Sequence, residues 1–479
     1  MTAVVHCSSA VLACVALVAA GCSSDSGDVT GTFVNSYWLD SGAKVDVVPA
    51  GATVRALVLE ASGAYKEYPG TVAADGKFAI PGVPSGTFFL EVRSSTAAPA
   101  FGEQTARSGI DVGRDYVGRS DVVAGTAPNT TLRVNVTGAN AWQATDGMAL
   151  LSSGANLSAV VFGAVLPTAS TSGLVQYGLI GRNLPQVADT VQVYQLETTP
   201  VAGPGTLRVA ATAGSFTGVA VSDGLAVDAA VALSPVAQTG SVAADWKTSQ
   251  FEVYKTQMAP SGSTFNHELA VEVVPHSTAP MPTLSAAANL LELSESDGTT
   301  DQSLGSLSYG QFLPSFWKEF RRARYMGMYR VTAPGATVPA GFGPAILVRD
   351  PQPATGAVVP RVSPPRNPTV NGLDALQPQA GVGLTPTFAW SAPDLGTPTD
   401  YLLNVTSLKA SGASTVPASV YSMRVLGTKV TVPSGVLQTG TTYVAFLTAR
   451  LRPGVAATSP GRQALPDASG GAVLAAFTP

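Results

Sequence analysis

The sequence predicts an all-β chain, built as several antiparallel β-sandwich modules with a short helical segment in the central region. Three observations carry this expectation. Short runs of alternating apolar and polar residues recur along the chain, and period two is the mark of a half-buried strand. Forty-nine glycines and 35 prolines punctuate those runs, and both residue types interrupt helices and favour turns. Charged residues make up 12 % of the chain, against roughly 25 % in an ordinary soluble domain. The surface must then draw its polarity from hydroxyl and amide side chains and from backbone, a pattern common in exported β proteins.

A chain of 479 residues, 45 % of them hydrophobic, exceeds one core of ordinary size, so three or four domains are expected. The formal charge is −4 and no Lys or Arg tract is longer than a pair. That leaves no electrostatic footprint for nucleic acid, which is excluded as a partner.

Residues 10–21 read AVLACVALVAAG, and Cys22 follows at once, then the polar stretch 23–28. Twelve apolar residues are too few to cross a bilayer as a helix but suit the core of an export signal. The order Val18, Ala19, Ala20, Gly21, Cys22 resembles the lipobox of bacterial lipoproteins. The resemblance implies a signal peptide over 1–21, lipidation of the Cys22 thiol and a tether over 22–28. With Ser23 after the cysteine, it also implies a cell-envelope protein held to the outer membrane by its lipid anchor. The first nine residues carry no Lys or Arg, whereas such signals ordinarily open with positive charge. Cys7 and Cys14 would leave with the signal. The mature chain then has no thiol for a disulfide or a Cys-based metal site.

Residues 29–93 form the first expected module. Thr53 to Leu59 is β-rich, Asp75-Gly76 marks a tight turn, and Phe78 with Ile80, then Phe88 with Leu90 and Val92, alternate on one face each. The stretch 71–92, TVAADGKFAIPGVPSGTFFLEV, resembles the carboxypeptidase regulatory-like domains, transthyretin-type (prealbumin-like) sandwiches. The resemblance implies a β-sandwich spacer or adhesion unit without peptidase chemistry. Residues 93–106 read as a connector.

The central β-rich region, 107–350, is expected to hold one or two domains. Its β-prone runs include 131–136, 157–163, 190–196, 206–211, 250–258 and 268–274. The HELAV run at 267–271 has valine where a metalloprotease helix needs its second histidine, and its period is two, so it predicts a strand and no zinc site. With His267 and His276 the only histidines left after processing, a Ser-His-Asp arrangement has little to draw on. Glu319 with Glu268 or Asp297 is the available acid pair for a glycosidase. No cofactor is expected.

Residues 308–331 concentrate seven aromatic residues beside Lys318, Arg321, Arg322 and Arg324. Pro314 can open a helix and Phe316 and Phe320 stand four apart, so a helix is expected over 315–325. Two readings stay open: a lid that plugs a β-core, or an aromatic and cationic platform for a glycan or an envelope protein. In the second, Trp317, Tyr325, Arg321 and Arg324 are the ligand contacts, and Trp142 and Trp246 could extend the patch.

A Pro-rich linker is expected over 351–364 and a last module over 365–479. Trp390 closes one strand, Tyr401, Leu403 and Val405 alternate, and Leu437, Gly440 and Tyr443 precede a period-two run. This arrangement resembles a fibronectin type III-like domain, in which a tyrosine corner closes a phenol onto nearby backbone. The resemblance implies a tethering or binding module. Taken together, these features predict an envelope lipoprotein with a binding or structural role, and as the alternative an extracytoplasmic hydrolase acting on polysaccharide or peptide.

Overall fold

Of the β-prone runs in the sequence, all but 250–258 extend and pair. The structure, a computed structural model, describes residues 27–39, 42–95, 97–201, 205–274, 288–296, 300–313, 317–351, 356–459, 461–462 and 467–479. Cys22, His276 and Asp297 lie outside the described residues. The chain is all-β: strands take 55 % of it and helix 2 %, in several mostly antiparallel sheets.

One sheet runs through the molecule as a spine. Among the described residues, sixteen strands follow one another by direct pairing. The order begins Leu157–Phe162, Gly147–Ser152, Val191–Pro200, Gly205–Phe216, Ala288–Ser296, Thr264–Val274, Lys318–Val331 and Ala345–Pro351. It continues through Ala468–Val473, Thr442–Leu451, Asp400–Ser411, Ser414–Val425, Ala97–Gln104, Phe88–Ser94, Thr53–Leu59 and Tyr65–Pro69. Each step is antiparallel except that from Ser414–Val425 to Ala97–Gln104, which is parallel. Pairing thus continues from one module into the next, through residues 346–348 with 468–470 and 100–102 with 422–424, and a paired edge is closed to wrong association.

Smaller layers cover this spine and close the cores. In the first module Gly27–Thr32, Thr71–Val72, Lys77–Val83 and Ile110–Asp111 form a second sheet. It buries Val29, Phe78 and Ile80 against Phe88 and Leu90. The expected turn is present: Gly76 sits at φ 81°, a conformation that favours glycine, and Asp75 accepts a hydrogen bond from the Lys77 N–H at 3.1 Å. In the last module Arg366–Val370, Leu373–Asp374, Thr387–Ser391 and Lys429–Thr431 form the facing sheet. They set Phe388 and Trp390 against Leu403, Val405 and Leu447. The stretch 410–419 is the tip of a long hairpin that turns at Gly412, φ 56°.

In the centre, Thr131–Thr137, Gly173–Gly178 and Ala226–Ala232 pack Leu132, Val134 and Val136 onto Met148 and Leu150. The opposite face of the same spine strand, with Ala149 and Leu151, is covered by the pair Gly240–Trp246 and Gln302–Tyr309.

Two expectations about helix are corrected. The run 250–258 forms no strand; it holds most of two short helices, Thr248–Glu252 and Lys255–Met258. Phe251, Tyr254 and Met258 are spaced three and four apart and pack onto Leu269, Ala323 and Tyr325, which is helical period. Conversely, Lys318–Val331 is a fourteen-residue strand, not a helix. Partners on both sides decide it: Thr264–Val274 pairs along one edge and Ala345–Pro351 along the other. Its period-two split also fits, with Ala323 and Tyr325 toward a core and Arg322 and Arg324 toward carboxylates on the other face.

The described parts of the two segments read as linkers are integrated. Ala97–Gln104 lies within 93–106 and is paired on both edges. Pro99 falls where the register against Phe88–Ser94 shifts between Val92 and Ser94, a place where a missing ladder N–H is tolerated. In 351–364, Val358 and Val362 are buried. The Ser363-Pro364 backbone lies so close to Gly470 that a Cβ there would meet Ser363 carbon at 2.2 Å.

Candidate functional site

The residues expected to form an aromatic and cationic platform are separated and buried. Trp317 belongs to the core beneath Tyr309 and Leu313. Tyr325 is fully buried in the neighbouring core, stacked on His267 at 4.4 Å between ring centroids. Arg321 is 3 % exposed and bonds Asp350 at 2.7 Å and the Gly356 carbonyl at 3.0 Å. Arg324 is the most open of the four, yet it projects from the other face and pairs with Glu268. Trp142 and Trp246 are each fully buried in different cores. The physical reason is the strand: period two sends Arg324 to the face opposite Arg321 and Tyr325, and the face that those two share is covered by core.

The acid pair Glu319 and Glu268 is likewise dispersed, and Asp297, the other expected partner of Glu319, lies outside the described residues. Glu268 stands opposite Arg324, whereas Glu319 stands opposite Val273, five residues on, so the two carboxylates leave the sheet on opposite faces. Glu319 accepts from the Tyr309 phenol at 2.5 Å and from Gln311 at 3.2 Å. Burial, then the Glu319 contact, pushes the Tyr309 phenol up.

Instead, the spine carries a ladder of ion pairs across five strands of one face. Arg208 meets Glu292 at 2.9 Å. Glu268 meets Arg322 at 2.5 Å and also Arg324, and Glu272 meets Arg322 at 3.1 Å and Arg349 at 3.5 Å. Burial pushes the Arg349 guanidinium below its usual range, with Glu272 pulling the other way.

Further along the same face lies the junction of the first and last modules. Ser422, Met423 and Arg424 pair in parallel with Ala100, Phe101 and Gly102. On one side of this seam the two modules share a core, in which Leu57, Phe89 and Phe101 pack with Tyr421, Met423 and Val430. Phe101 meets Tyr421 edge-on at 5.7 Å, and the Tyr65 phenol donates to the Thr431 carbonyl at 3.0 Å. Arg462 clamps the other flank, donating to Asp111 at 2.6 Å and to the Val34 carbonyl at 2.9 Å.

On the other side of the seam is a cavity of about 250 Å³. Leu90, Val92, Val112 and Leu402 give it apolar walls, while Gln104, Arg114, Arg424, Arg450 and Arg452 give it a polar lining. Cross-strand register builds the charged part: Asp400 lies opposite Arg450, and Leu402 lies opposite Arg424. Asp400 accepts from Arg424 Nε at 2.9 Å, from Arg450 Nε at 2.7 Å and from Arg452 Nη2. Burial opposes ionisation of Asp400, but Arg450, Arg452 and Arg424 together hold its carboxyl below the usual range. Burial also pushes the Arg450 guanidinium down to about 10, against the pull of Asp400. Three guanidiniums share one carboxylate.

This site left one cue in the sequence: Arg450 and Arg452 stand two apart beside a period-two run, and so share a face. Gln104 and Arg424 left none, because pairing across more than 300 residues has no local signature.

The fold and its junction define the chain as a multi-sheet all-β protein with internally paired modules. No family model matches the chain, and no curated protein matches it. Among solved structures it is similar to one described as a tetra-tandem repeat in the extending region of a large adhesion protein. The identity is 15 %, over 93 % of this chain and 99 % of that one, with a TM-score of 0.11.

Proposed function

We propose that the chain is a lipid-anchored protein of the bacterial outer membrane whose modules are joined into one β-scaffold, with a binding or structural role toward a glycan or an envelope protein. The observation that carries the reading is the parallel seam between Ala97–Gln104 and Ser414–Val425, backed by a shared hydrophobic core. Modules that serve as independent beads need only a flexible linker. Joining them edge to edge makes relative motion require the rupture of backbone hydrogen bonds and the exposure of buried apolar surface. A scaffold that holds a binding surface away from a membrane benefits from that stiffness.

The first module fits the carboxypeptidase regulatory-like reading in its two facing sheets and Asp75-Gly76 turn. The last fits the fibronectin type III-like reading in one specific contact: the Gln438 N–H donates to the Tyr443 phenol at 2.8 Å, as a tyrosine corner requires. Anchorage rests on the Cys22 junction alone. Of the two acid pairs open to the hydrolase alternative, Glu268 and Glu319 occupy opposite faces of the sheet, and Asp297 of the other lies outside the described residues.

The test is fractionation of expressing cells followed by limited proteolysis of the recovered protein. The expected result is a membrane-bound chain, released by Cys22→Ala, whose first and last modules stay associated after nicking. Modules that separate once the chain is cut would contradict the scaffold, and a Cys22→Ala chain that stays on the membrane would contradict the anchor.

A further inference from the structure

The junction cavity combines features that a structural ion pair does not need. Two of its polar groups are buried and have no hydrogen-bond partner: Gln104 Nε2 and Arg424 Nη1. Gln104 is 2 % exposed and Arg424 is 6 % exposed, and both line the cavity. Buried donors ordinarily find acceptors, because an unmet one loses its water without compensation. Here both unmet groups are donors, so what is missing is an acceptor. The local charge asks for the same thing, since Asp400 answers only one of three guanidiniums and Arg114 adds a further cation at the exposed rim.

We propose that this cavity binds a small organic anion: a carboxylate or phosphate head held by Gln104 Nε2 and Arg424 Nη1, with an apolar body against Leu90, Val92, Val112 and Leu402. Guanidiniums favour carboxylate and phosphate because their planar donor pairs match both geometries. The apolar walls distinguish an organic ligand from a bare inorganic ion. Size sets the scale: a cavity of about 150 Å³ accommodates benzene, so about 250 Å³ holds one ring or a short branched chain with its head group.

Gln104 comes from the first module and Arg424 from the last, so the ligand bridges the seam. Occupancy then stabilises the contact between modules, because a ligand that binds only the joined state favours it by mass action. The site stands on its own geometry and holds whether or not the chain is anchored in an envelope.

The experiment uses the full chain, titrated calorimetrically with benzoate, phenyl phosphate, inorganic phosphate and the neutral benzyl alcohol, with thermal melts alongside. The variants are Gln104→Leu, which removes the unmet donor while keeping its bulk, and Arg114→Ala, which removes a rim charge without touching the Asp400 pairs. Saturable binding of benzoate or phenyl phosphate with a raised Tm is expected. Gln104→Leu should weaken it at least ~10-fold, as loss of a hydrogen bond to a charged group does, while unfolding normally without ligand. Arg114→Ala should weaken it about 3-fold, with a larger loss at low salt.

Failure of both aromatic anions to bind the wild-type chain would overturn the proposal. Equal binding by Gln104→Leu would place any observed binding elsewhere and overturn it too. Inorganic phosphate binding as tightly as phenyl phosphate would overturn the organic ligand, and binding of benzyl alcohol alone would overturn the anion.

Discussion

Two arginine-rich clusters share one face of the spine, yet their charges are met differently. In the central ladder four guanidiniums, of Arg208, Arg322, Arg324 and Arg349, are met by three carboxylates, of Glu292, Glu268 and Glu272. At the junction three arginines converge on Asp400 beside a cavity. A nearly matched ladder, four guanidiniums to three carboxylates against three to one at the junction, serves to fix strand register, because a slip of one residue would send its charges to the opposite face. A cationic surplus against a cavity instead leaves capacity for something outside the chain. The comparison separates charge used for architecture from charge left over for recognition.

Breaking the junction should have the largest effect. Asp400→Asn leaves three guanidiniums without their carboxylate and is expected to cost about 3–5 kcal/mol at pH 7, read by urea unfolding. The pH dependence follows from the depressed carboxyl of Asp400. Its contribution is fully present above the unfolded value of about 3.9 and is lost as pH falls through the lower folded value. The stability gap between wild type and Asp400→Asn should therefore be constant from neutral pH down to about 5 and close in stronger acid. A gap independent of pH down to acid unfolding would assign the effect to packing.

Phe101→Ala tests the apolar side of the same seam. It should cost about 3 kcal/mol and let the first module unfold ahead of the last in calorimetry, whereas a single unchanged transition would show that Phe101 contributes little to the join. In the central ladder, Glu268→Gln removes the carboxylate that pairs with Arg324 and one of the two that pair with Arg322. Arg322 retains Glu272, so about 2 kcal/mol is expected, less than for Asp400→Asn. An equal or larger loss would overturn the distinction between the clusters. Tyr443→Phe, which removes only the acceptor of the Gln438 N–H, should be smallest at about 1 kcal/mol, measured by the same unfolding curves.

These outcomes also mark what could be read in the sequence. The strands of the two end modules were legible because Phe78 with Ile80, or Leu403 with Val405, declare their face through local alternation. The Asp75-Gly76 turn and the Tyr443 corner were legible for the same reason, since each is closed within a few residues. The central strand at Lys318–Val331 was misread because Phe316 and Phe320 suggested helical spacing, while the strands that settle the matter come from Thr264–Val274 and Ala345–Pro351. Composition misled at the site as well: Trp317, Tyr325 and Arg321 have the residue types of a binding surface but serve the interior. The junction was least visible. Residues 97–104, AAPAFGEQ, look like a connector, and only the long-range partner Ser414–Val425 makes them a doubly paired strand.

That double pairing is open to direct measurement by residue-resolved hydrogen exchange on the full chain. A strand flanked on both sides directs successive amides to alternate neighbours, so protection should run without alternation through Phe101, Gly102 and Glu103 and match that of Thr442–Leu451. Fast exchange of every second amide there would mean that Ala97–Gln104 has a free edge, and the joined scaffold would be contradicted.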